Sequence, residues 1–170
     1  MKLLVYSFTA IFVFISTASA NYLNPLISPE ELYDRLGQAK PIILDIRGDA
    51  YTEGHIPGSI SAPYAMFRGP KNNPGQLLDE DTLEQRFEAL GLDFNRPIVI
   101  VSEGKSNSDF GAAARVYWTL KSSGFTDLAV LNGGKLGWEA AGQSIDKISV
   151  KPNATELDIT FSQQWTASTE

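Results

Sequence analysis

Pro97-Ile98-Val99-Ile100-Val101-Ser102-Glu103-Gly104-Lys105-Ser106-Asn107-Ser108-Asp109-Phe110-Gly111-Ala112-Ala113-Ala114-Arg115 passes from four β-branched apolar residues through a polar loop into a helical pattern. A short apolar run bounded by a proline and a polar loop reads as a strand buried on both faces of a parallel sheet. Beyond the loop, Ala113, Val116, Tyr117 and Leu120 fall at i, i+3, i+4 and i+7, the spacing of one helix face. Ser108 or Asp109 is placed to cap the start of this helix, and Lys121 with Gly124 marks its end. A strand, a short loop and a helix whose N-terminus faces that loop together make an anion-binding cradle, because uncapped backbone N–H groups and the helix dipole point into one space.

Upstream, Ile27-Ser28-Pro29-Glu30-Glu31-Leu32 carries a helix start: Ser28 as cap, Pro29 at the first helical position, Glu31 closing a capping box and Ile27 stapled to Leu32. Residues 41–46 read as a buried strand, with Asp45 and Arg47 at its carboxyl end. Ligands of open α/β sheets bind outside the carboxyl ends of strands, so this pair is a candidate part of a site; a structural ion pair is the competing reading. His55 lies in the turn Glu53-Gly54-His55-Ile56-Pro57-Gly58, where a lone histidine more often bonds the backbone than performs chemistry. Residues 59–62 form a short strand, and residues 67–78 a loop rich in Pro, Gly and Asn.

Asp81-Thr82-Leu83-Glu84 reads as a second capping box, followed by the stripe Leu83, Phe87, Leu90. Residues 128–131 form another apolar strand, turned by Asn132-Gly133-Gly134 into a short helix whose Trp138 is assigned to the core. Alternating strands and helices indicate an α/β fold with a mainly parallel sheet of about five strands covered on both faces. From Gly142 onward regular patterning fades; Asn153-Ala154-Thr155 is a weak glycosylation triplet.

The 170 residues suffice for one domain with a sizeable core. A formal net charge of −6 with singly scattered Lys and Arg argues against a nucleic-acid partner, which requires a clustered basic face. Residues 1–20 have the parts of an export signal: Lys2, an apolar run over residues 3–15, and Ala18-Ser19-Ala20 at the cleavage site. That run is too short for a stable membrane anchor, which needs about 20 residues. The expected product is periplasmic in a Gram-negative bacterium and secreted otherwise. The chain has no cysteine and one histidine, which removes thiol catalysis and thiolate metal sites and argues against a Ser-His-Asp triad. No cofactor or metal is expected.

Gly104-Lys105-Ser106 after a strand suggests a phosphate-binding loop, but that motif needs a glycine five residues before its second one, where Val99 stands. A hydrolase elbow fails as well, since Ile100 occupies its first glycine position. The motifs together resemble the rhodanese-like family of sulfurtransferases over roughly residues 27–143. They are the opening residues 27–32, Leu44-Asp45-Ile46-Arg47, Glu53-Gly54-His55-Ile56-Pro57-Gly58-Ser59, the central strand with its loop and Ala113-Ala114-Arg115, and Val130-Leu131-Asn132-Gly133-Gly134 through Trp138.

The resemblance implies a three-layer rhodanese-like fold over residues 21–150, with residues 151–170 as a linker or the start of a second repeat, because Ala167-Ser168-Thr169-Glu170 echoes residues 27–30. Active members end the central strand in a cysteine that carries sulfur as a persulfide. Ser102 stands there, or Glu103 if the register shifts by one, and the loop is longer than the compact family loop. A serine hydroxyl can neither form nor release a persulfide. The resemblance also implies a cysteine-less domain of the kind that supports an active second domain in tandem sulfurtransferases. The expected function is therefore an exported binding or supporting module without sulfur transfer of its own, the alternative being a thiosulfate- or mercaptopyruvate-type sulfurtransferase completed by a cysteine-bearing second domain or partner. Its expected binding residues are Asp45, Arg47, His55, Glu103, Gly104, Lys105, Ser106, Asn107, Ser108 and Arg115, and its expected partner a small oxyanion or a second rhodanese domain.

Overall fold

The sheet is built from short apolar runs whose alternate residues face opposite sides, and each side has its own core. A computed structural model describes residues 23–38 and 40–166; the expected export signal and the repeat-like ending at 167–170 lie outside the described residues. Five strands, β1 (Leu26–Ile27), β2 (Ile42–Asp45), β3 (Ile60–Ser61), β4 (Ile98–Val101) and β5 (Leu128–Leu131), pair all in parallel in the order β1-β5-β4-β2-β3. In β2 and β4, Ile42, Leu44, Ile98 and Ile100 face α2 (Glu80–Ala89) and α3 (Asn107–Ser122), where Leu83, Phe87, Val116 and Leu120 close one core. Ile43, Val99 and Val101 face the other way, toward Leu32 of α1 (Pro29–Leu36) and Trp138 of α4 (Gly134–Ala140). The result is the three-layer α/β arrangement, with two cores separated by one sheet.

Three details differ from the sequence reading. A two-residue edge strand, β1, precedes α1; it is too short to show a pattern of its own and is defined by the pairing of Leu26 and Ile27 with Val130 and Leu131. In α1, Ser28 caps through the Glu31 amide, but the Glu31 carboxylate lies 3.0 Å from Arg35 instead of returning to the cap. The second helix begins two residues early, behind Asp79, whose carboxylate accepts from the amide and hydroxyl of Thr82. These two bonds hold the Asp79 carboxyl below its usual range.

Of residues 151–170, expected as a linker or the start of a second repeat, the described residues 151–166 lie back on the domain. Ile159 is 5% exposed and belongs to the α2/α3 core, with Leu157 and Phe161 packed beside it. The amides of Leu157, Ile159 and Phe161 donate to the carboxylates of Glu88, Glu84 and Glu80 at 3.0, 2.9 and 2.7 Å. Starting α2 at Glu80 sets these three glutamates four residues apart on one helix face. An extended chain presents alternate amides to one side, so three successive ones meet three successive helical turns.

Candidate functional site

The carboxyl ends of β2 and β4 meet at a cleft of about 450 Å³ that includes Arg47, Tyr64, Ser102, Glu103, Lys105 and Asp109 in its wall. Ser102 follows β4 directly, is 5% exposed, and also lines a neighbouring cleft of about 320 Å³ on the far side of its loop. Its hydroxyl makes no hydrogen bond among the described residues. Sequence reasoning placed the missing nucleophile at Ser102 or Glu103, and their surroundings differ. Ser102 is a small, unpartnered group reachable from both clefts, whereas the Glu103 carboxylate is engaged by Arg47 at 3.0 Å.

Arg47 is the charged centre of the site. Its side chain is 4% exposed and lies 2.7 Å from the fully buried Asp45 carboxylate; it also donates to the Gly54 carbonyl at 2.7 Å. Burial would pull the Arg47 pKa down, but hydrogen bonds and charge from Asp45, then Glu103, outweigh that pull and hold it above the ordinary arginine value. The guanidinium thus binds β2, the loop after β4 and the turn before His55 into one unit. It is a structural hub, with few donors left for a ligand.

The helix that follows begins at Asn107 behind Ser106, not behind Ser108 or Asp109. Ser106 Oγ accepts from the Asp109 amide at 3.3 Å, and the Asp109 carboxylate accepts from the Ser106 amide at 2.9 Å, a reciprocal capping box. The same carboxylate oxygen accepts from the Lys105 amide at 2.9 Å. The cradle inferred from sequence assumed free amides, and the structure corrects this: the loop N–H groups of Lys105 and Ser106 already hold an anion, the chain's own Asp109. Replacing Ser106 by alanine is expected to cost about 1 kcal/mol, the usual value of a lost cap, read as a lowered urea midpoint with unchanged slope.

The loop is locked to its neighbour by backbone contact. The amides of Lys135 and Leu136 donate to the carbonyls of Ser102 and Glu103 at 2.8 and 3.1 Å. Gly104 has φ +83°, and a Cβ there would lie 1.8 Å from the Gly133 carbonyl oxygen. Gly104→Ala therefore combines a left-handed backbone with a clash against main chain, and is expected to destabilise by about 2 kcal/mol and displace the loop. Amide exchange of Lys135 and Leu136 checks it, since those amides lose their acceptors if the loop moves.

The other expected site residues are dispersed. Ser106 and Asn107 line the smaller cleft with Gly104 and Lys105, while Ser108 lines neither. His55 is fully buried away from both clefts, stacked on Tyr51 with ring centroids 3.8 Å apart. Its Nδ1 is 2.8 Å from the Tyr51 carbonyl and its Nε2 3.1 Å from Asp146. Arg115 points to the loop at Gly75 and Gln76, whose carbonyls accept at 2.7 and 3.0 Å. Its desolvation holds it below the ordinary arginine value. Tyr64 and the Asn132-Gly133-Gly134 turn were missed as site residues; the turn follows a strand's carboxyl end, a position that signals site proximity. Among the described residues no cluster of three His, Asp or Glu is close enough to hold a metal ion. No base among the described residues is hydrogen-bonded to the Ser102 hydroxyl.

A family model described as a rhodanese-like domain matches residues 28–141. The chain is 33% identical over 151 residues to a thiosulfate sulfurtransferase of Pseudomonas aeruginosa, covering 85% of this chain and 53% of that protein. It is 29% identical over 147 residues to thiosulfate/3-mercaptopyruvate sulfurtransferase 2 of Arabidopsis thaliana, covering 77% and 42%. The crystal structure of a 3-mercaptopyruvate sulfotransferase from Escherichia coli superposes with a TM-score of 0.69 at 18% identity, over 84% of this chain and 57% of that one, a likeness of fold. The chain spans about half the length of the curated relatives it matches. On the match over residues 28–141 and the identity to these sulfurtransferases, the chain belongs to the rhodanese-like domain family.

Proposed function

We propose that this chain is an exported rhodanese-like domain that transfers no sulfur by itself and acts as a binding or supporting module. The observation that carries the reading is Ser102, an unpartnered hydroxyl at the end of β4 in a chain without cysteine. Sulfur transfer from thiosulfate requires a thiolate that attacks the outer sulfur, breaks the S–S bond and releases sulfite; an acceptor such as cyanide then takes the sulfur from the persulfide. A serine hydroxyl has no thiolate sulfur to carry a persulfide and cannot begin this sequence.

The chain from Asn21 onward, incubated with thiosulfate and cyanide, is expected to form no thiocyanate above the buffer rate; turnover sinks the proposal. Ser102→Cys is expected to give one thiol that a disulfide reagent modifies rapidly, because residue 102 lines both clefts. Export is checked by the mass of the mature protein, which is expected to begin at Asn21.

A second reading is favoured by the length of the relatives: a cysteine-bearing second domain or partner completes a thiosulfate- or mercaptopyruvate-type sulfurtransferase. Reading the coding sequence past Glu170 separates the two. An in-frame continuation with a cysteine after a comparable strand supports the second reading, and a stop supports the first.

A further inference from the structure

The charge of this acidic chain is unevenly placed. Residues 54–78 and 110–126 contain no Asp or Glu, although the whole chain has 20 acidic and 14 basic residues. The two segments pack together, since Arg115 of α3 holds the carbonyls of Gly75 and Gln76. Their cations are Arg68, Lys71, Arg115 and Lys121. Three of them lie over aromatic rings: Arg68 over Tyr64 at 5.4 Å, Arg115 over Trp118 at 4.5 Å and Lys121 over Trp165 at 5.6 Å. Trp118 Nε1 donates to the Trp165 carbonyl at 2.8 Å and so joins the last two pairs.

None of these cations has a carboxylate within ion-pair distance among the described residues, in contrast to Arg35, Arg47 and Lys135. The acids nearest these cations along the sequence are engaged already: Asp79 caps α2, Asp109 holds the loop amides and Asp127 accepts from the Leu23 amide. The Arg115 Nε is buried without a partner. Trp165 is 42% exposed and Arg68 is exposed, so the face is open to a partner.

We propose that this face of cation and aromatic pairs is a docking surface for an extended acidic polypeptide segment. Guanidinium groups without their own counter-charge supply the attraction, and Arg, Trp and Tyr are the side chains that dominate interface energetics. The surface is drawn out along α3: the six helical steps from Arg115 to Lys121 span about 9 Å, which matches about three residues of extended chain. Four cations, three of them on rings, in a chain of net charge −6, are too sparse for the continuous phosphate row of a nucleic acid. The proposal is independent of the missing thiol, because these residues line neither cleft beside Ser102 apart from Tyr64.

The test titrates the chain from Asn21 onward into fluorescein-labelled hexaglutamate, following probe anisotropy together with tryptophan emission. Of the three tryptophans, Trp138 is buried in the opposite core, so the emission change reports Trp118 and Trp165. Binding is expected to weaken as salt rises, and the double variant Arg68→Glu with Lys121→Glu to raise Kd at least about tenfold. Arg115 is left intact in that variant because it holds the loop at Gly75; an unchanged urea midpoint shows that the variant is folded. Absence of binding, or equal binding by the variant, overturns the proposal. Displacement by sulfate at matched ionic strength identifies a small-anion site instead, and equally tight binding of a labelled DNA hexamer identifies a general polyanion surface; either outcome also overturns it.

Discussion

Arg47→Met is expected to lower stability by about 3–5 kcal/mol, the cost of breaking a buried ion pair by removing one partner. The Asp45 carboxylate is fully buried, and the lost guanidinium makes its closest ion pair, 2.7 Å away. What remains for Asp45 is the Arg47 amide at 3.1 Å, too little to compensate a desolvated charge. Glu103 and the Gly54 carbonyl lose their partner in the same step, so the loop after β4 and the turn before His55 are released together. Urea unfolding measures the loss. The double variant Asp45→Leu with Arg47→Met removes both charges and is expected to recover much of the stability, as replaced buried ion pairs often do. A midpoint for Arg47→Met within experimental error of the parent sinks the account of Arg47 as the hub of the site.

The same residue shows how far the sequence could be read. Asp45 and Arg47 at the end of an apolar strand marked the correct end of the sheet, because parallel strands collect polar residues at their carboxyl ends. Their partner Glu103 lies 56 residues from Arg47, and nothing local encodes that contact. The sheet itself was legible because β2, β4 and β5 are buried on both faces and so appear as unbroken apolar runs. The start of α1 behind Ser28 was legible outright, those of α2 and α3 only to within two or three residues. Ser106, Ser108 and Asp109 compete as caps on equal local chemistry, and the choice falls to Ser106 because Asp109 at the third helical position then returns to two loop amides. That choice also fills the expected anion cradle. A capping box and an open anion site use the same N–H groups, so with Ser106 as the cap the Ser-x-x-Asp spacing closes the cradle.

A chain ending at Pro152 is expected to be less stable by about 2–4 kcal/mol, although β1 to β5 and α1 to α4 all remain. The removed residues bury Ile159 and pack Leu157 and Phe161 against the α2/α3 core, a gross contribution of about 4–7 kcal/mol. Releasing an ordered segment returns conformational entropy, which offsets part of that sum. The truncation also takes away the Thr155 bonds to Glu88 and Leu92 and the three amides held by Glu88, Glu84 and Glu80. Two point variants separate packing from tethering. Ile159→Ala is expected to cost about 2–3 kcal/mol as a buried large-to-small change, while Glu84→Gln keeps an acceptor for the Ile159 amide and is expected to cost less than about 1 kcal/mol. The alternation Leu157, Ile159, Phe161 was present in the sequence, but a single two-residue repeat without a paired strand gave no partner. Its partner is a helix face, and the glutamates that hold it lie 69 to 81 residues earlier. Were the segment only a linker, Ile159→Ala would be silent, and the urea midpoint of that one variant decides between a spacer and a component of the domain core.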